Sequence, residues 1–267
     1  MSSKEKSEWL FKIDGMKWSF SRASSFEHCK YGWKLSYLEG NRGIQNAFSE
    51  YGLFHHKIFE LLWAGILSVP DIPEYYEKNY SKEVSLSFPA MLERWNFSKR
   101  TYDVGLNFWN NFDWDVSEWD VLDNEGTIET VYDGVELTIR PDTLVRNKKT
   151  GKIWLIDYKT STSFVKKTMK PKWDKIDGYK KQLSLYCYFV EKEMNVEIEK
   201  YVLIFPKYTL DETMYFEYNK EEGQETVDWL MGIVKATRNE VDFEPNVEPF
   251  FCENLCGVRN FCQHWQK

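Results

Sequence analysis

Ile153-Trp154-Leu155-Ile156 is an unbroken apolar run that ends directly on Asp157-Tyr158-Lys159. Following a turn at Asn147 to Gly151, such a run predicts a buried strand, and a carboxylate at its end is costly without a partner. Upstream, Ile128, Val131, Val135, Leu137 and Ile139 are spaced for strands, and Asp133-Gly134 is a two-residue hairpin signal. These three segments predict an antiparallel meander. Helical patterns precede it over 19–40 (Ser24 and Glu27 spaced as a capping box), 47–67 and 74–113. A helix over 176–193, a strand over 201–205, a shorter strand over 214–218 and a helix over 222–239 follow it. Helix, three antiparallel strands, helix, strand is an α/β order.

With 267 residues, 42% hydrophobic and 29% charged, the chain reads as a soluble globular protein with a sizeable core. The expected organisation is a single domain over 1–267. A helical and acidic insertion spans 68–126, a core of sheet and helix spans 127–218, and a cysteine-rich segment over 245–267 closes the chain. No stretch approaches the roughly 20 apolar residues of a membrane helix. The start, MSSKEKSEWLFK, is charged where a signal peptide is apolar. A reducing cytoplasm is therefore expected, that of the host cell if a phage carries the gene. There Cys29, Cys187, Cys252, Cys256 and Cys262 are metal ligands or buried thiols rather than disulfides.

The net charge of -7 argues at face value against an ordinary nucleic-acid binder. Its distribution reverses that argument. From Arg140 to Lys181, 13 Lys and Arg face 4 Asp and Glu, a local charge of +9 against -16 for the rest.

A turn symmetric about Lys149 and Thr150 places Asp142 opposite Asp157. Alternation along the strand then gives Asp157 and Lys159 one face and Tyr158 the other. Two carboxylates and a lysine meet on the order of 5 Å apart, a repulsive arrangement unless a cation lies between the carboxylates. All-oxygen ligation suits Mg²⁺ or Mn²⁺.

The residues RPD (140–142) and DYKTS (157–161) resemble the active-site signature of PD-(D/E)XK nucleases, specifically the RecB-type branch. Gly52, His56 and Glu60 match its Gly-x-x-x-His-x-x-x-Glu helix motif, and Gln182 and Tyr186 its Gln-x-x-x-Tyr motif. SFSRASSFEHCKYGW (19–33) is similar to its N-terminal helix. The chain departs from the pattern at Ile139, where the branch usually has glycine before the motif. The resemblance implies a restriction-endonuclease-like core with a helical insertion and a cysteine-rich tail. It also implies a metal site of His56, Glu60, Asp142 and Asp157, and a catalytic group of Asp142, Asp157, Lys159, Gln182 and Tyr186. Cys29, Cys252, Cys256 and Cys262 resemble the iron–sulfur four-cysteine exonucleases, namely the CRISPR-associated adaptation nucleases and AddB-like enzymes. They imply a [4Fe-4S] cluster, with zinc the alternative and His264 a spare ligand. Three residues separate the first tail pair, where that group usually has two.

The implied activity is a DNA exonuclease on single strands or duplex ends, with a helicase or recombination partner. The rival is a non-catalytic DNA-end-binding scaffold on the same fold. Arg140, Lys166, Lys167, Lys170, Lys172, Lys180 and Lys181 flank the expected site and form a candidate phosphate track. Of the twelve tryptophans, only those on a positive surface invite a base-stacking role.

Overall fold

The apolar run ending at Asp157 forms the middle strand of a five-stranded sheet. A computed structural model describes residues 3–265. In chain order the helices before the sheet are α1 (Ser3–Asp14), α2 (Phe20–His28), α3 (Lys30–Tyr37), α4 (Ala47–Trp63), α5 (Ile72–Glu83), α6 (Ala90–Glu93) and α7 (Phe97–Asn110). The strands are β1 (Trp119–Asn124), β2 (Ile128–Tyr132), β3 (Val135–Ile139), β4 (Thr143–Asn147), β5 (Ile153–Tyr158), β6 (Ile198–Ile204) and β7 (Met214–Glu217). Helix α8 (Trp173–Met194) joins β5 to β6, and α9 (Lys220–Asn239) and α10 (Pro249–Asn254) complete the chain. Among the described residues no helix is long and apolar enough to cross a membrane.

The chain divides into two compact units, one of residues 46–127 and 140–223, the other of 3–45, 128–139 and 224–265. The first holds the sheet in the order β1-β4-β5-β6-β7. β5 is antiparallel to β4 and parallel to β6, so it needs a crossover to reach β6, and α8 provides it. Ile156, Tyr158, Val145 and Val202 pack with Phe54, Phe59 and Leu62 of α4, Tyr76 of α5 and Trp109 of α7. The Tyr158 ring stacks on Phe59 at 3.6 Å, and its hydroxyl meets Trp63 Nε1 at 2.6 Å and Thr143 Oγ1 at 3.0 Å. The expected helix, three antiparallel strands, helix and strand are present as α4, β1-β4-β5, α8 and β6.

Two details of the expected meander change. The hairpin β2–β3 forms, with Asp133 at φ 46° and Gly134 at φ 75° in its turn, but it is a separate two-stranded sheet in the other unit. Pro141 has no N–H for a ladder and interrupts the strand between Ile139 and Thr143. The place beside β4 is taken by β1, from the acidic stretch expected to be an insertion. Its residues, WDVLDN, have only one buried side chain, so no apolar alternation betrays the strand.

In the second unit Trp18 lies beside β3, its N–H on Glu136 O at 2.7 Å and its carbonyl accepting from Thr138 N–H at 2.7 Å. Trp33 stacks between Trp18 and Phe243. The helix expected over 19–40 breaks at Cys29, which is extended (φ -155°, ψ 102°). Ser19 rather than Ser24 caps α2, and Cys29 Sγ caps α3 by accepting from Gly32 N–H at 3.3 Å.

Candidate active site

β4 and β5 pair in the register that a turn centred on Lys149 and Thr150 demands: Thr143 faces Ile156 and Leu144 faces Leu155. The turn holds that centre because Asn147 Oδ1 accepts from the N–H groups of Lys149 and Thr150, both at 3.0 Å. One step along the ladder, Asp142 stands beside Asp157. Asp142 Oδ2 accepts from Tyr158 N–H at 3.0 Å. Asp157 is 1% exposed. Lys159 Nζ donates to its Oδ1 at 3.0 Å and lies 2.8 Å from Oδ2, which is buried and takes no hydrogen bond of its own.

Helix α4 brings His56 to the same place. Gly52 makes the approach close, because a Cβ there would lie 3.0 Å from Thr160 Oγ1. His56 Nε2 is 3.0 Å from Tyr158 O, an oxygen that can only accept, so the proton on Nε2 is fixed. Nδ1 is left facing Glu125 Oε1 at 3.4 Å and Asp142 Oδ2 at 3.5 Å. Glu125 follows β1 in the left-handed region (φ 54°), a conformation that costs a non-glycine residue on the order of 1 kcal/mol. Its N–H donates to Asp142 O at 2.7 Å, which aims its side chain at His56. His56, Glu125 and Asp142 each offer a ligand atom within 4.8 Å of the others.

Burial and neighbouring charge set the electrostatics of this group. Burial, then the charge of Asp157, holds the Asp142 carboxyl well above the usual carboxylate range. Burial pulls His56 down, but its hydrogen bond to Glu125 and the charges of Asp142 and Asp157 outweigh that and lift it to about 9. Burial likewise opposes the charge on Lys159, and Asp157 and Asp142 more than offset it. The imidazolium and the ammonium thus stand against the two carboxylates.

From Lys159 a polar chain runs into α8. Lys159 Nζ donates to Gln182 Oε1 at 3.0 Å, and Gln182 Nε2 donates to Tyr186 Oη at 2.9 Å. The Tyr179 ring lies 5.1 Å from the same ammonium. Gln182 and Tyr186 are therefore in contact with the Asp157–Lys159 pair, directly or through one another. His55, beside His56, points away and is fully buried against Trp109 and Tyr51.

One sequence expectation sits differently. The Glu60 side chain is exposed at the end of α4 and is outside the group of three; its carbonyl accepts from Asn124 Nδ2 at 3.0 Å. Glu125 is the residue that motif and composition passed over. It lies in a run of acids from Asp113 on, and only its position before Gly126 hinted at a turn.

Among the expected track residues, Arg140, Lys166, Lys167 and Lys170 are exposed, and Lys172, Lys180 and Lys181 are half-buried on or before α8. Trp173, 53% exposed between Lys172 and Lys175, is a tryptophan on the positive surface.

In the second unit, Cys29, Cys252, Cys256 and Cys262 line one cavity of about 200 Å³, with Trp33, Phe251 and Val258 among its walls. All four thiols are free. His264 turns against the Tyr31 ring instead of joining them. Cys187 is fully buried in α8.

Comparison with known proteins bears on the first of these sites. A family model described as the PD-(D/E)XK nuclease superfamily matches residues 17–263. The crystal structure of a presumed exonuclease from Eubacterium rectale is 14% identical, covers 100% of this chain and 95% of its own, and superposes with a TM-score of 0.52. That likeness concerns the fold alone. The structure of SSO0001 is 16% identical over 73% of this chain and 98% of its own, with a TM-score of 0.34, and carries no argument. No curated protein matches the chain.

Proposed function

The chain belongs to the PD-(D/E)XK nuclease superfamily, and on that premise we propose that it is a metal-dependent deoxyribonuclease acting from strand ends, on single strands or duplex termini. The observation that carries the reading is the convergence of His56 Nδ1, Glu125 and Asp142 beside a buried Asp157 that is ion-paired with Lys159. These donors fit a divalent ion: carboxylate oxygens suit Mg²⁺, and an imidazole nitrogen makes Mn²⁺ equally acceptable. His56, Glu125, Asp142 and Asp157 would hold it. A bound ion supplies Lewis acidity and a water of lowered pKa.

The chain's own residues do the rest. Tyr158 O keeps the His56 proton on Nε2 and presents the Nδ1 lone pair to the site, the outer-shell orientation that metal-binding histidines need. Lys159, held by Asp157 and Gln182, presents an ammonium where a water attacks in line and where the phosphoryl oxygens gain negative charge. Tyr186 orients Gln182, and through it Lys159.

A [4Fe-4S] cluster on Cys29, Cys252, Cys256 and Cys262 belongs to the same proposal, closing the second unit. What supports it is that the four cysteines line one cavity, with zinc the alternative occupant.

The test is a digest of end-labelled single-stranded, duplex and circular DNA with Mg²⁺ or Mn²⁺. The expected result is shortening of linear strands, sparing of circles, and loss of activity in Asp157→Ala and Lys159→Ala proteins. Full activity in those variants would sink the mechanism. DNA binding without cleavage by the wild type would favour the scaffold instead.

A further inference from the structure

Several lysines in this protein pair with a carboxylate: Lys57 with Glu83, Lys99 with Asp103, Lys148 with Asp120, Lys149 with Glu118, Lys159 with Asp157. Lys172, Lys175 and Lys207 do not. Among the described residues none of the three has a carboxylate within 4.0 Å or a side-chain hydrogen bond, although all three are half-buried. The Lys207 ammonium lies over the Tyr51 ring at 5.7 Å, a contact that occupies one side of it and leaves its N–H donors unused.

These lysines surround the segment that leaves the catalytic strand. Tyr208, next to Lys207, accepts on its hydroxyl from Ser163 N–H at 3.1 Å and Phe164 N–H at 3.2 Å, and its ring meets Phe164. From the other side Lys172 N–H donates to Ser163 O at 2.8 Å, and Lys175 lies in the first turn of α8. Tyr51 precedes Gly52, where a Cβ would lie 3.0 Å from Thr160 Oγ1. Residues 160–164 therefore run from Lys159 between two anchored loops that carry unpaired positive charge. The charges oppose one another: burial and then Lys175 lower Lys207 to about 8, and burial and then Lys172 lower Lys175, with Asp174 offsetting only part of that. A half-buried group of like charges that no ion pair neutralises is stabilised by an anion from outside the protein.

We propose that Lys175 and Lys207 form a phosphate subsite that seats a backbone phosphodiester of the nucleic-acid strand beside residues 160–164, next to the bond cut at Lys159. This rests on the nuclease reading and adds to it two residues outside the track expected from the sequence.

The test is anisotropy of a fluorescein-labelled oligothymidylate in EDTA, where binding is read without cleavage, with linear duplex cleavage in Mg²⁺ run in parallel. Lys175→Gln and Lys207→Gln should each weaken binding about fivefold and lower the salt slope by about 0.7, the value for one phosphate on a single strand. Lys207→Arg should restore binding. Lys99→Gln, which loses only a surface pair with Asp103, should leave binding unchanged. Thermal stability of the two glutamine variants should be unchanged or higher, because removing an uncompensated charge relieves repulsion; a merely structural role would lower it. An unaltered salt slope in both variants, with wild-type binding and cleavage intact, overturns the subsite and leaves the nuclease reading standing. Inorganic phosphate binding as tightly as the oligonucleotide would make this a free-phosphate site and overturn the seating of a strand. A wild type that neither binds nor cuts DNA overturns both.

Discussion

Lys159 Nζ lies 2.8 Å from Asp157 Oδ2, on a carboxylate that is 1% exposed and takes no hydrogen bond at that oxygen. The pair is buried, and the two charges depend on each other.

Removing the lysine alone should therefore cost stability as well as chemistry. Lys159→Met leaves Asp157 buried without its cation, a change worth about 3 kcal/mol or more. It should also lower cleavage by a factor of about 100 or more, since Lys159 is aimed at the reacting phosphate. The double variant Lys159→Met with Asp157→Asn removes both charges and should regain most of the stability with none of the activity. Denaturant midpoints in EDTA, set beside cleavage rates, check both halves. A double variant as unstable as the single one would refute the pairing.

The pH dependence of the metal-free protein has a definite sign. His56 has a folded value of about 9 against an ordinary 6.5, so the folded state binds more protons than the unfolded state between those limits. Its stabilising contribution is complete below about pH 6.5 and is lost as the pH rises to about 9. Asp142, raised above the usual carboxylate range, acts in the same direction from lower pH. In EDTA the melting temperature should fall as pH rises through this window, and less steeply in His56→Gln. Because the proton must leave before Nδ1 can bind a metal, Mg²⁺ or Mn²⁺ affinity should rise over the same window. Calorimetry with each metal at pH 6.5 and 8.5 reads the second effect.

The legible parts of this architecture are those where local chemistry and long-range pairing agree. The turn at Asn147 to Gly151 has a centre of symmetry, so the register of β4 on β5, and with it the meeting of Asp142 and Asp157, follows from counting. The β2–β3 hairpin is equally local, carried by Asp133-Gly134. What the hairpin pairs with is not local, and its place in a different unit from β4 left no mark beyond Pro141. β1 was hidden because an edge strand with two acids and one buried side chain looks like a solvated connector. Glu125 was hidden for the same reason: one acid among many is marked as a ligand only by the backbone turn that aims it. Lys175 and Lys207 are 32 residues apart, and only the folded loops show that both flank residues 160–164.

Glu125 and Glu60 can be told apart by metal binding. Glu125→Gln removes a carboxylate from the group within 4.8 Å and should weaken Mn²⁺ binding about tenfold to 100-fold. Glu60→Gln changes an exposed side chain and should have a smaller effect on the first ion bound. Glu125→Gln should also lower the His56 titration, since the hydrogen bond to Glu125 is one of the causes that raise it. NMR of the imidazole in EDTA follows that shift. Equal metal affinities in the wild type and Glu125→Gln would return the third carboxylate to Glu60.

Cys29 has two roles that separate chemically. Its Sγ accepts from Gly32 N–H at 3.3 Å and from Asn246 N–H at 3.4 Å, so it caps α3 and ties that cap to the segment before α10. Serine is among the best N-cap residues and keeps an acceptor at nearly the same place, whereas alanine removes it at a cost of about 1 kcal/mol. A serine oxygen is a poor ligand for iron in a cluster. Cys29→Ser should therefore lose the broad visible absorption of an anaerobically purified iron–sulfur protein, while its cap survives. Cys29→Ala should lose both, and the stability difference between the two variants measures the cap alone. A wild type that is colourless and holds stoichiometric zinc would refute the cluster, but the order of stability, serine above alanine, would stand because it depends only on the backbone N–H of Gly32.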